Sequence, residues 1–349
     1  MPYLTYINVF RALAIFFVVA SHTVLAFSWA DNPDQQKILH IVYGNCTTLF
    51  VFIAGYLFQH LSLKFDTKKY YLSKLKFVLL PYFVISLPVV LYDVLVSSPG
   101  NMSADFLAQP AWLQFLNYYW WGAHSYTMWF MPVIALFYFV GPLLIKGDRN
   151  HVLYWLLPIF ILASFIVHRS PLYPTSNFVH FFSVYVLGML SSKHKNVINP
   201  QLIQNKVLIA LLISFLLVCI WQYFPLTPQL KASFYVQKII FTFLTLGLLI
   251  KFEAYTKHTI VEIIANTSLG VYFVHAYIIQ AIKMLFIYMN QHFLSHTSIS
   301  FHGNIVFHFL LSCLILLLSI LLILLIKAVI GNKTYILFGH IPPSKIVSP

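Results

Sequence analysis

Stretches of apolar residues about as long as a bilayer is thick alternate with short polar connections over almost the whole chain. A spanning helix needs about 20 mostly apolar residues. Runs of that length or slightly shorter lie near residues 5–29, 38–60, 71–96, 127–146, 152–168, 178–192, 205–223, 233–251, 262–289 and 303–330. The pattern predicts an all-α integral membrane protein, a bundle of about ten transmembrane helices, in which the fifth and sixth are the shortest. Pro81, Pro88, Pro132, Pro142 and Pro158 fall inside or near these runs. Packed membrane helices tolerate proline because neighbouring groups re-satisfy the freed carbonyls. No repeat with a period of about 20–50 residues is present and no low-complexity linker divides the chain, so residues 1–349 are expected to form one transmembrane domain.

Composition agrees: 60% of the residues are hydrophobic, 8% are charged and the mean hydropathy is +0.83. A soluble domain runs at roughly 45–50% apolar and about 25% charged. The net charge of +13 would suggest nucleic acid in a soluble chain. Here the basic residues sit in short loops between apolar spans, so no nucleic-acid partner is expected and the charge reads as topology. Lys and Arg concentrate on the cytoplasmic side of a membrane protein. In the ten-helix reading, 16 of the 21 lie on one side, among them Arg11, the five lysines from Lys64 to Lys76, and Lys327. The other 5 are Lys37, Arg169, Lys231, Lys238 and Lys283. That split puts both termini in the cytoplasm and needs an even number of spans. The first run also has the outline of a signal peptide, with a basic residue, an apolar core and Ala30 before a polar stretch. Its length, the interruption by His22 and the later topology favour a span.

Between runs three and four lies the longest outer connection, whose Tyr118, Tyr119, Trp120 and Trp121 suit either headgroup depth or the wall of an external cleft. Cys46, Cys219 and Cys313 are dispersed in apolar runs without disulfide or metal-ligand spacing. They read as packing residues, and no metal site is expected.

Three polar constellations stand out against this background. The first run reads RALAIFFVVASH from Arg11 to His22. Eleven positions correspond to roughly 20° of rotation and 16 Å of rise, so the two lie on one helical face about three turns apart. An ionisable group at His22's depth marks a pathway or a site, although a snorkelling arginine and a core histidine would give the same pattern. In NTSLGVYFVHAYII, Ser268, Tyr272 and His275 fall on one stripe at i, i+4 and i+7. Lipid offers such groups no partners, so they face the bundle, either as a site or as interhelical hydrogen bonds. In KFDTKKYYLSKLKFVLLPYF, five lysines could simply orient the span and touch anionic headgroups, or act as point charges toward phosphate.

These residues resemble a known family. Arginine, ten residues and then histidine in the first span, followed by VFIAGYLF, KLKFVLLPY, MWFMPVIALFYFVGPLL, FFSVYVLGML and SLGVYFVHAYII, is similar to the acyltransferase-3 family of integral membrane acyltransferases. Within it, the chain is similar to the subgroups that O-acetylate enterobacterial common antigen and O-acylate the poly-N-acetylglucosamine of intercellular adhesion loci. The resemblance implies a multi-pass protein of the bacterial inner membrane. Its activity would be O-acetylation, or transfer of a succinyl group, from cytoplasmic acetyl-CoA or another acyl-CoA to a hydroxyl of a cell-surface or lipid-linked carbohydrate. Acyl-CoA, the carbohydrate acceptor and membrane lipid are the implied partners, with no permanently bound cofactor.

Carried over, His22 becomes the catalytic histidine and Arg11 its partner along the donor passage. Ser268, Tyr272, His275 and Trp129 position donor or acceptor, and Lys74 and Lys76 contact the CoA phosphates. Many members place RxxR where this chain has Lys74 and Lys76, and lysine lacks arginine's planar fork. The helix-four motif also differs, reading Thr127, Met128, Trp129, Phe130, Met131. No appended soluble hydrolase-like domain is expected. The residue types suit the chemistry: a histidine with a pKa near about 6.5 can take the proton of a sugar hydroxyl as it attacks a thioester. Three helical turns are too far for Arg11 to stabilise the oxyanion directly. A transporter or flippase for a polysaccharide or lipid-linked sugar would also use a polar-lined ten-helix bundle, but its inverted repeats are not evident. An acyltransferase acting on a small lipid, peptide or antibiotic is a further alternative.

Overall fold

A computed structural model of the chain describes residues 4–96, 102–170, 172–224, 232–256, 258–293 and 302–339. Residues 97–101 of the long outer connection, and Lys231, Lys257 and Lys345 of the charge tally, lie outside them. The described residues form helices in this order: α1 (Thr5–Thr23), α2 (Pro33–Tyr43), α3 (Thr47–Leu61), α4 (Thr67–Lys74), α5 (Leu80–Leu95), α6 (Ala104–Leu107), α7 (Ala111–Trp121), α8 (Phe130–Phe139) and α9 (Gly141–Arg149). There follow α10 (Val152–Trp155), α11 (Leu157–Ile166), α12 (Pro174–Lys193), α13 (Lys195–Leu202), α14 (Asn205–Tyr223), α15 (Ala232–Lys251), α16 (Thr259–Phe293), α17 (Ile305–Ile330) and α18 (Tyr335–Phe338). No named strand occurs among the described residues; one isolated bridge joins Ser28 and His302.

Each of the ten predicted runs is occupied by helix. Among the described residues, seven segments are long and apolar enough to cross a membrane alone, and α8 with α9 make an eighth when their 51° bend is taken as one broken span. The remaining two are α11, short and apolar, and α12, whose buried Asn177, His180 and Ser183 dilute its apolar face.

Breaks inside the runs have local causes. The run at 38–60 starts earlier, at Pro33, and is interrupted between α2 and α3, where Asn45 takes a left-handed conformation with φ 58°. Asparagine tolerates that region better than most residues. Between α4 and α5 the chain widens into a π-turn, Leu75–Leu79, in which the Leu80 N–H reaches back to the Leu75 carbonyl. Pro81 follows at once; it has no N–H for the fourth carbonyl back and its ring would press on it. The run at 127–146 begins only at Phe130, leaving Thr127 and Trp129 in the preceding turn, and bends where Pro142 opens α9.

The core centres on α3 and α12. A Cβ at Gly55 would collide with the Tyr185 carbonyl, and one at Gly188 with the Phe52 carbonyl, so the absence of side chains is what allows these backbones to touch. Phe137 stacks on Tyr185 beside this contact, with centroids 4.5 Å apart and planes at 11°. The two helices run parallel. Near their starts Arg169 Nη1 donates to Asn45 Oδ1 at 2.8 Å. Near their ends Asp148 joins them, accepting from Gln59 at 3.2 Å and from Lys193 at 2.8 Å. α1 and α16 are parallel too, meeting successively at Arg11 with Ser268, His22 with His275, and Leu25 with Lys283.

Candidate active site

Two polar centres sit at opposite ends of the α1–α16 pair. At the end where the chain enters α1, the Arg11 guanidinium donates to Ser268 Oγ at 3.1 Å. Both line a cavity of about 540 Å³ whose walls include Phe50, Ile53, Leu57 and Tyr185 and whose rim carries Lys64, Lys69 and Lys74. Asp66 is the one carboxylate among the described lining residues, and its Oδ1 accepts the Lys69 N–H at 2.8 Å, which caps α4. The lysines therefore leave the rim strongly positive above an apolar interior.

Lys74 is held in this cavity by two aromatic faces, its Nζ lying 4.8 Å from the Tyr138 centroid and 5.5 Å from that of Tyr70. Such contacts favour the charged amine when water is partly excluded. Lys76 does not line the cavity; its Nζ lies 4.6 Å over Tyr335 and 5.3 Å over Phe77. Two positions on a helix are about 200° apart, so the two lysines cannot face the same way.

At the other end, His22 is half-buried. Its ring centroid is 5.4 Å from that of His275 and 5.1 Å from that of Tyr126. His275 is fully buried; its Nδ1–H donates to the Val271 carbonyl at 3.0 Å, which fixes the tautomer and leaves Nε2 as an acceptor with no partner. The sequence stripe is thus divided between the two centres. Ser268 and Tyr272 line the cavity, whereas His275 stands beside His22. Tyr272 connects them: its hydroxyl donates to the Thr127 carbonyl, and its ring is 6.2 Å from that of His275.

Trp129 serves a different neighbour. The Arg169 guanidinium lies 4.2 Å over its ring, which also meets Phe130 at 6.0 Å and Phe181 at 6.3 Å. Arg169 and Tyr126 are site neighbours that sequence reasoning missed. Arg169 counted only as an outer charge, and Tyr126 lies one residue before the Thr127–Met131 motif without a periodic signal of its own.

The arrangement has an open cationic cavity at one end, a histidine pair at the other, and one helix face between them. A family model described as an acyltransferase domain matches residues 4–324, which takes in both centres. Comparison with curated proteins and with solved structures returns no match. The match covers most of the chain and every helix that builds the two-ended site, and the chain belongs to the acyltransferase-3 family of integral membrane acyltransferases.

Proposed function

We propose that this membrane acyltransferase takes an acetyl or succinyl group from cytoplasmic acyl-CoA and transfers it to a hydroxyl of a carbohydrate presented at the outer face of a bacterial inner membrane. One observation carries the reading: α1 joins a cation-rimmed cavity at Arg11 to a histidine pair at His22. The lysine rim suits the CoA phosphates, with Lys74 aimed inward and Lys76 left to the protein surface. The apolar walls suit the donor's arm, and Arg11, steadied by Ser268, holds that arm at the cavity's depth. The acyl end then extends along the roughly 16 Å of helix that separates Arg11 from His22.

At His22 the acceptor oxygen attacks the thioester carbonyl while the imidazole takes its proton. The C–O bond forms, the C–S bond breaks, and the proton passes to the leaving thiolate, so the products are an acyl ester and free CoA. General-base help of this kind is worth about 10²- to 10⁴-fold. His275 offers its Nε2 lone pair to orient the His22 ring or the acceptor hydroxyl. Tyr126 supplies a phenol beside the reacting carbonyl, where a preorganised donor lowers the barrier most.

The two parallel pairs support ten crossings with both termini in the cytoplasm. Parallel helices need an odd number of crossings between them, and the ten-span count puts three between α3 and α12 and seven between α1 and α16. Removing α11 from the count would make the first number even.

The test is the surface glycan of cells with and without the protein. Loss of ester-linked acyl groups with unchanged polymer export is the expected outcome. Loss of export with the esters intact on the retained polymer would instead mark a transporter.

A further inference from the structure

Two cavities lie on the His22 side of α1 and share a wall. One, of about 350 Å³, is lined by residues that include Ser21, Lys37 and Tyr43; the other, of about 220 Å³, by Asn45, Arg169 and His180 among others. His40 and Gly44 line both, so the two cavities adjoin at these residues as the two parts of a groove. Among the described residues, its titratable side chains, apart from the Tyr43 phenol, are Lys37, His40, His168, Arg169 and His180, and no carboxylate lines either part. Asp34, one turn before Lys37 on α2, lies near the Tyr223 hydroxyl and lines neither cavity.

Among the described residues, Arg169 and Lys37 meet neutral or aromatic partners. Arg169 donates to the Asn45 amide at 2.8 Å and lies over Trp129, and the Lys37 amine lies 4.9 Å over Tyr223. His180, 5% exposed, donates Nδ1–H to the Val167 carbonyl at 2.9 Å, and its Nε2 is buried with no partner. Ser21 on α1 lines the groove, although His22 itself does not. Cys46, next to Asn45, donates Sγ–H to Ser21 Oγ at 3.7 Å, and Ser21 precedes His22. A cleft of one charge sign between low-dielectric walls concentrates ions of the opposite sign.

We infer that this groove is the acceptor subsite and that the acceptor carries an anionic group, a carboxylate or a phosphate, seated between Arg169 and Lys37 while its hydroxyl faces His22. The inference rests on the acyltransferase reading above and names the class of its acceptor. Arg169 is suited to either anion, since its planar fork makes paired charge-assisted hydrogen bonds to both.

Binding tests it without turnover. Full-length protein in lipid nanodiscs, free of acyl-CoA, is titrated calorimetrically with methyl glucuronide, glucose 1-phosphate and the neutral methyl glucoside. At least one anionic sugar binds about tenfold more tightly than methyl glucoside, and which of the two does so separates a carboxylate-bearing from a phosphate-bearing acceptor. Arg169→Gln lowers that preference at least about threefold. Arg169→Lys restores part of it, and Lys37→Gln, at the exposed far end of the groove, lowers it independently of the Trp129 stack. Equal affinity for the neutral and both anionic sugars, or no binding of either anionic sugar, overturns the inference. Should that happen while the protein still acylates a neutral glycan from acetyl-CoA, only the acceptor class is wrong; a protein that acylates no hydroxyl at all contradicts the acyltransferase reading itself.

Discussion

At the scale of single residues, the decisive contrast is between positions that share a helix face and positions that do not. Arg11 and His22, and Ser268, Tyr272 and His275, were legible because helical periodicity alone puts them on common stripes. Their division between two centres was not, because it depends on the register of α1 against α16. Arg11→Ala is expected to raise the KM for acyl-CoA about 10- to 100-fold, in keeping with about 1.5–3 kcal/mol for hydrogen bonds to a charged group. The change in kcat should be smaller, which steady-state kinetics on purified protein can resolve.

His124, in the turn before α8, offers a test by pH. Burial pushes its pKa down to about 4, although Nδ1–H donates to the Tyr118 carbonyl, and Nε2 has no partner. The unfolded chain takes up this proton near the ordinary value of about 6.5, whereas the folded chain takes it up only near 4. Folding stability should therefore decline by this group's contribution as pH falls from about 6.5 to 4. His124→Gln should flatten the decline, read as thermal unfolding across that range.

At the scale of elements, the apolar runs were readable because the bilayer sets their length, while the interruptions came from single residues acting on backbone hydrogen bonding. The π-turn ahead of Pro81 and the bend at Pro142 follow from proline's missing N–H. Such breaks were invisible to a window average, which is also why the weaker apolarity of α12 stood out only once its buried polar side was placed. The α3–α12 contact makes its own prediction. Gly188→Ala places a methyl against the Phe52 carbonyl and should cost about 1–3 kcal/mol, the usual range for overpacking. Thermal unfolding in detergent should show the lowered midpoint, with a larger loss for Gly188→Val.

For the whole molecule, the charge split proposes both termini in the cytoplasm, and the parallel pairs α1–α16 and α3–α12 are compatible with the even number of spans that it needs. What composition could not supply was the groove beside His22, since Lys37, His40, Arg169 and His180 come from four separate stretches. Topology predicts that, in a background with the three native cysteines replaced by serine, Lys37→Cys reacts with a membrane-impermeant thiol reagent in intact cells. Lys64→Cys should react only after permeabilisation, and the reverse pattern would invert the orientation. The central claim is that His22 carries acyl transfer out of the cavity at Arg11. It is tested most directly by incubating wild-type and His22→Ala proteins, in nanodiscs with radiolabelled acetyl-CoA and cell-surface glycan, and counting alkali-labile label on the glycan. A loss of at least about 10²-fold, the lower range for general-base help, with normal membrane insertion is the predicted result; undiminished labelling by His22→Ala would contradict it.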